Sequence, residues 1–127
     1  MRAGLVTTSL RLLTWCCVIL LAVLSLTPGE EIEMVRTDLP GQVEHVIAYA
    51  GSTAIAMAAY ALSRGGTRVI GCLWVYAGIL EYLQNCSPGR NPAIEDFAAS
   101  ALGALGGGVA VSVLWRYRSA MLGCRDA

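Results

Sequence analysis

The sequence predicts an all-α protein, a four-helix transmembrane bundle with both termini in the cytoplasm. Three observations predict it: an excess of apolar residues, four apolar stretches and an uneven distribution of arginines. Of the 127 residues, 56% are hydrophobic and 14% are charged, whereas soluble domains average about 25% charged residues. This apolar content excludes a disordered chain. The formal net charge is zero, so the chain lacks the positive surplus with which nucleic-acid binders meet phosphates.

Each apolar stretch approaches the length of a helix that crosses a bilayer, about 20 residues with a range of about 17–25. The uncharged cores run over 12–26, 46–62, 69–80 and 97–115. With flanking residues they predict spans at 8–27, 43–62, 69–85 and 97–115. The alternation over about ten residues that marks the strands of a β-barrel is missing from the sequence. We therefore interpret residues 1–127 as a single helical membrane domain.

The segments between the stretches are short and contain helix breakers. Residues 27–42 form a predicted polar loop with two Pro-Gly pairs, and Ser63–Arg68 predicts a tight turn between antiparallel neighbours. Ser-Pro-Gly-Arg-Asn-Pro at 87–92 interrupts any helix. These connections fit an up-and-down bundle.

The arginines orient the predicted bundle. Four spans put both termini and the 63–68 turn on one side, with seven Arg and one acid, and leave two Arg and eight acids on the other. Because cytoplasmic loops of membrane proteins carry the excess of positive charge, we expect both termini in the cytoplasm, below a plasma or inner membrane. The first side carries Arg2, Arg11, Arg64, Arg68, Arg116, Arg118, Arg125 and Asp126. The second carries Arg36, Arg90, Glu30, Glu31, Glu33, Asp38, Glu44, Glu81, Glu95 and Asp96.

The first stretch has a rival interpretation as a cleaved signal peptide, since Arg precedes its apolar core. A small-x-small cleavage site is poorly matched, because Ser25-Leu26-Thr27 is followed by Pro28, and this favours a retained anchor. The five cysteines are scattered over the topology with only Cys86 outside, so we expect neither a disulfide framework nor a metal finger.

The acidic residues and the histidine within or next to the predicted spans all lie toward the outer ends. Glu44 and His45 begin the second helix, Glu81 ends the third and Asp96 begins the fourth. Charge inside a membrane segment is costly and usually marks function or a paired structural network. Helical spacing adds Tyr49 four residues after His45, Gln84 three after Glu81, and Ser100 four after Asp96.

Arg90, in the breaker loop, has two readings: a solvated loop residue, or a guanidinium paired with Glu81, Asp96 or a ligand phosphate. His45 and Asp96 also have structural readings, as a hydrogen-bonded residue at a helix start and as a helix cap. We define the outer polar site as seven candidate residues: His45, Tyr49, Glu81, Gln84, Arg90, Asp96 and Ser100.

Small residues predict how the second and fourth helices pack. Gly103 and Gly107 continue the face of Asp96 and Ser100 with the spacing that allows close helix approach in membranes. Ala48, Ser52 and Ala56 form a comparable stripe on the second helix. We expect the two stripes to meet and to bring the polar ends of their helices together.

The motif order Glu81-Tyr82-Leu83-Gln84, Pro88-Gly89-Arg90, Asp96, Gly103 and Gly107, with His45 and Tyr49 before it, resembles the VanZ-like family. These are small multi-helix integral membrane proteins named for a teicoplanin-resistance protein. The likeness covers about residues 40–115, and it departs from the family at Gly41-Gln42, where Asp-Lys is usual, and at Ser100, where Asn is common. It implies a membrane location and a link to the cell envelope or to glycopeptide response, and it supplies no reaction.

Three functions remain open. The outer polar site could bind a lipid head group, a glycan or peptide of the envelope, or a glycopeptide. Alternatively, His45 with Glu81 or Asp96 could serve as acid and base in an enzyme acting on a lipid-linked substrate. A transporter or channel is the third, although no ionisable residue is expected near the bilayer centre. No spacing suggests a metal or cofactor site, so we expect none.

Overall fold

The computed structural model describes residues 2–34, 37–60 and 65–123, with side chains for 4–34, 37–60 and 65–121. Every regular element in this part of the chain is helical, so the predicted all-α class is confirmed. The elements are α1 (Arg2–Leu26), α2 (Gly29–Ile32), α3 (Gly41–Tyr60), α4 (Gly66–Leu83), a 3-10 turn (Gln84–Cys86) and α5 (Ile94–Gly123). The described residues of each apolar stretch lie within one of the four long helices. The single turn of α2 forms where the sequence predicts only a loop.

Contacts at the helix ends define two ends of the molecule. α1 ends and α3 and α5 begin at one end of the molecule, which we call the upper end. α3 ends and α4 begins at the opposite end, which we call the lower end. At the lower end, the guanidinium of Arg11 in α1 lies 5.4 Å from the ring centre of Tyr60, the last residue of α3. At the upper end, the Ser87 hydroxyl donates to the carbonyl of Leu26 at 3.0 Å. α1 and α4 therefore run one way, and α3 and α5 run the other.

The closest helix contact joins the parallel pair α3 and α5. A methyl group added to Gly103 would overlap the carbonyl oxygen of Val46, and one added to Gly107 would overlap that of Ala50. The two glycines are one turn apart, as are Val46 and Ala50, so the backbones touch at two successive turns. Only residues without a β-carbon permit this approach.

The face that α3 presents to the glycines differs in part from the expected one. The glycines meet the backbone at Val46 and Ala50, and of the expected stripe Ser52 and Ala56 are buried whereas Ala48 is exposed. The reason is that α3 carries small residues on several faces, so small-residue spacing alone does not fix the rotation of the helix about its axis.

Two hydrogen bonds connect α4 to its neighbours away from the helix ends. The Trp74 indole N–H donates to the Ala101 carbonyl of α5 at 2.9 Å, and the Tyr76 hydroxyl donates to the Val18 carbonyl of α1 at 2.6 Å. Around them lies a core of buried side chains drawn from all four long helices: Leu21, Tyr49, Leu73, Ala77, Leu80 and Ala104.

Two of the helices are long and apolar enough to cross a membrane, over Gly4–Leu26 and Ile94–Met121. Much of their apolar surface is exposed rather than packed against the other helices. The exposed large residues of α1 and α5 include Leu5, Leu12, Trp15, Ile19, Leu102, Val109, Leu114 and Trp115.

Several sequence predictions fall outside the described residues. These are the last two residues of the second predicted span (61–62), Ser63 and Arg64 of the predicted turn, and the residues Arg36, Cys124, Arg125 and Asp126, together with the side chain of Arg2.

The glycine contact gives a direct stability test with a neighbouring control. Gly107→Ala should destabilise the protein by about 1–3 kcal/mol, because the new methyl overpacks the interface with Ala50. Gly106→Ala adds the same atoms where nothing lies within 4 Å, and it should be neutral or stabilising by up to about 1 kcal/mol, since Ala is the better helix former. Thermal unfolding of purified protein in detergent would compare the two, and equal melting temperatures would contradict the close contact.

Candidate functional site

The polar residues at the upper end are brought together by the α3–α5 contact. His45 precedes Val46, whose carbonyl meets Gly103, and Ser100 lies one turn above Gly103 on α5. The His45 Nδ1 and Ser100 Oγ atoms are 3.1 Å apart, within hydrogen-bond distance. On the other side of the ring, His45 Nε2 lies 3.9 Å from Asp96 Oδ2. One imidazole thus lies between two side chains that are one turn apart on α5.

Tyr49 extends this cluster downward. It lies one turn after His45 on α3 and is almost fully buried. Its hydroxyl has the Ser100 side chain as a hydrogen-bonding neighbour, and Tyr76 and Glu81 are close enough to interact with it electrostatically. Ser100, itself buried, therefore connects the His45 and Tyr49 side chains.

Glu81 has a different role from the one that its position near the end of the third apolar stretch suggests. Its Oε1 accepts a hydrogen bond from the backbone N–H of Ala93 at 2.6 Å, so it fixes the segment that leads into α5. Its carboxylate borders a separate open depression with Gly78, Tyr82, Asn85, Pro92, Ile94 and Phe97. Glu81 is thus a support for the start of α5, beside the cluster rather than in it.

Arg90 bonds to the end of α1, not to a carboxylate. Its Nε donates to the Thr27 carbonyl at 3.0 Å and its Nη2 to the Leu24 carbonyl at 2.6 Å. The last carbonyls of a helix lack intrahelical partners, and the guanidinium supplies two. Of the two readings of Arg90, the pairing with Glu81 or Asp96 is therefore wrong, because the breaker loop packs against α1 instead.

Backbone contacts fasten the same loop to the end of α1. Gly29 N–H donates to the Pro88 carbonyl at 3.0 Å, and a β-carbon on Gly29 would overlap the Gly89 carbonyl. Gly89 has a φ of 71°, a conformation that a residue with a side chain rarely adopts. Pro88, Gly89 and Arg90 thus hold the loop against the end of α1, and we call these three residues the α1 clamp.

A cavity of about 420 Å³ lies under the α1 clamp at the upper end, within the size range of ligand pockets. Five of the seven residues of the outer polar site line it: His45, Tyr49, Gln84, Arg90 and Asp96. Glu81 and Ser100 do not. Its large apolar wall residues come from α1, α2, the following loop and α3: Leu21, Leu24, Ile32, Leu39 and Ile47.

The loop between α2 and α3 is hydrogen-bonded to α3 at the rim of the cavity. Glu44 and Thr37 both line it, and Glu44 Oε1 accepts from the Thr37 N–H at 2.9 Å and from its hydroxyl at 2.6 Å. Sequence reasoning missed Thr37 and the α1 wall. The α1 residues that face the cavity are mostly leucines, which carry no pattern that marks a site.

One polar atom of a residue in the cavity wall is buried without a partner within the described residues. Gln84, which also lines the cavity, is only 4% exposed. The unpartnered atom is Asp96 Oδ1, although the His45 and Asp96 side chains are each 24% exposed. Buried polar groups are nearly always hydrogen-bonded, so unused hydrogen-bonding capacity in a cavity wall points to a ligand.

Metal binding finds no support in the described residues, which contain no group of three or more His, Cys, Asp or Glu side chains placed to hold an ion. Comparison of the chain with known protein families, with curated proteins and with solved structures finds no match. The functional argument therefore rests on the cavity and its surroundings.

The Glu81–Ala93 hydrogen bond predicts a difference between two substitutions. Glu81→Ala should lower the free energy of unfolding by about 1–3 kcal/mol, because the Ala93 N–H loses its acceptor in a half-buried position. Glu81→Gln keeps a carbonyl oxygen at the same place and should cost clearly less. Thermal unfolding in detergent measures both, with Glu95→Ala, an exposed acid in the first turn of α5, as control. An equal loss from Gln and Ala would assign the effect to the charge instead of the acceptor.

Proposed function

We propose that this chain is an integral membrane protein whose four long helices each cross the bilayer. Support comes from the two helices that are long and apolar enough to do so and from the exposed apolar surface of α1 and α5. α5 has 30 residues and is about 45 Å long at 1.5 Å per residue. It exceeds the hydrocarbon thickness of about 30 Å, so its last turns, with Arg116 and Arg118, would extend into the head-group region.

The proposed orientation puts the cavity on the outer side and both termini in the cytoplasm. Arg11, Arg68, Arg116 and Arg118 lie toward the lower end, whereas eight of the nine acidic residues of the sequence belong to the upper half of the topology. The cytoplasmic side of a membrane protein carries the excess of Arg and Lys. The upper end is therefore the outer one.

The proposed function is to bind or respond to a component of the cell envelope at this outer cavity, as a protein of the VanZ-like type. The observation that carries it is the cavity itself, with apolar walls, the nearly buried Gln84 and the unpartnered Oδ1 of Asp96. Binding sites typically combine apolar walls with a few convergent polar groups. The order of the Glu-x-x-Gln, Pro-Gly-Arg and Asp motifs supports the link to VanZ-like proteins and to glycopeptide response.

A second candidate is an enzyme that modifies a lipid-linked envelope substrate. One observation favours it: His45 and Asp96 are adjacent and both line the cavity, as an acid–base residue and its partner would. Glu81, the other carboxylate considered, bonds to Ala93 and lines a different depression. In this case His45 and Asp96 alone would carry the proton transfer.

Cysteine labelling tests the topology, since Cys86 is free and exposed at the upper end. A membrane-impermeant maleimide should label intact cells at Cys86, and Cys86→Ser should abolish the signal. Cys124 should become reactive only after the membrane is opened. Labelling of intact cells that persists in Cys86→Ser and disappears in Cys124→Ser would put the C-terminus outside and refute the orientation. A reporter fused after Ala127 is an independent measurement.

Single substitutions test the site. His45→Ala and Asp96→Asn should abolish protection against envelope stress while membrane accumulation stays near wild type, and Glu95→Gln, an exposed acid outside the cavity, should change neither. If both cavity variants protect like wild type, the outer site is refuted. Loss of accumulation alone would assign a structural role to His45 and Asp96. Mass spectrometry of the lipids separates the two functions, because an enzyme would leave a modified lipid that the variants lack.

A further inference from the structure

The apolar wall of the cavity extends to the outer surface of the bundle. Two of its apolar wall residues lie on the outer surface of the bundle: Ile47 of α3 is 58% exposed, and Leu24 of α1 is 37% exposed. In the proposed membrane orientation this surface faces the acyl chains of the outer leaflet. A ligand can therefore reach the cavity sideways from the bilayer, with an apolar chain along Leu24 and Ile47.

The cavity wall contains charges of both signs. Arg90 uses two N–H groups for the carbonyls of Leu24 and Thr27. A guanidinium has five N–H donors in a fixed plane, so donors remain for an anion, and phosphate suits their geometry. Asp96 is an acidic wall residue whose ion-pair neighbour in the described residues, His45 Nε2 at 3.9 Å, carries a charge only when protonated, and the nearly buried Gln84 also lines the cavity. A cation is the natural partner of Asp96.

We propose that the ligand is a zwitterionic phospholipid with an ammonium head group, taken from the outer leaflet. Its phosphate binds Arg90, its ammonium binds at Asp96 and the Gln84 carbonyl, and one acyl chain lies along the apolar wall. This inference rests on the proposed membrane topology and names the ligand class of the same site. A lipid without an ammonium group would leave Asp96 unmatched.

The test uses the full-length protein in detergent, titrated with lipid and analysed by native mass spectrometry. Dioleoylphosphatidylethanolamine should bind about tenfold more tightly than dioleoylphosphatidylglycerol, since a hydrogen bond to a charged group is worth about that factor. Asp96→Asn should remove the preference, and Glu95→Gln should keep it. Equal binding of the two lipids to the wild type, or an unchanged preference in Asp96→Asn, would overturn the proposal.

A second pair of variants tests sideways access without altering a charge. Ile47→Trp enlarges an exposed side chain of the apolar wall, and it should lower phosphatidylethanolamine binding at least about fivefold if one acyl chain occupies the wall, since lost apolar burial of this size is worth about 1 kcal/mol or more. Val75→Trp makes the same kind of change on α4, at an exposed residue outside the cavity, and should have no effect. Equal binding by both variants would overturn the lateral position of the chain.

Soluble O-phosphoethanolamine distinguishes the lipid from a free head group of the same chemistry. It should fail to displace the lipid, because it lacks the acyl chain, and displacement at equal concentration would overturn a bilayer source. A failure of this proposal can be told apart from failure of the proposed function. If the lipids bind equally but Asp96→Asn still abolishes protection with accumulation intact, only the ligand class is wrong. If protection is also unchanged, the outer site itself is refuted.

Discussion

The backbone contact between α3 and α5 is the constraint on which the rest of the structure depends. In the proposed membrane topology, burial of apolar side chains gives little drive for helices to associate, because lipid tails are as apolar as leucine. Association then depends on close packing, and Gly103 and Gly107 allow it against the carbonyls of Val46 and Ala50. The same approach sets the separation of α3 and α5 one turn higher. It therefore determines that His45 reaches both Ser100 and Asp96.

The second constraint is the need to satisfy backbone carbonyls at the end of α1. Each one left without a partner in a water-poor setting costs free energy, and Arg90 and Ser87 bond to three of them, those of Leu24, Leu26 and Thr27. The same bonds hold Arg90 where it lines the cavity. The cavity wall therefore combines the leucines of α1 and the polar start of α3 with the residue that satisfies the α1 end.

The sequence predicts the elements well and their relative rotation poorly. Apolar stretches locate all four long helices, and glycine spacing identifies Gly103 and Gly107 as the close-packing residues of α5. It does not identify Val46 and Ala50 as their partners, because α3 has small residues on several faces. Nor does it find the Arg90 partners, since backbone carbonyls occur at every residue and leave no mark in the sequence. For the site, the sequence predicted five residues that line the cavity. It did not predict that Glu81 bonds to Ala93, or that leucines of α1 form part of the wall.

The polar groups of the cavity are not all paired with one another. A network that served stability alone would gain from pairing every group, because unused hydrogen-bonding capacity in a buried site costs free energy. Ser100 and Tyr49 satisfy that requirement below His45. Above them, Asp96 Oδ1 does not, within the described residues. The other buried side-chain atom without a partner there, Thr53 Oγ1, does not line this cavity, whereas Asp96 does. An unpaired atom alone therefore does not mark a site, and the cavity of ligand size beside Asp96 is what distinguishes it from Thr53.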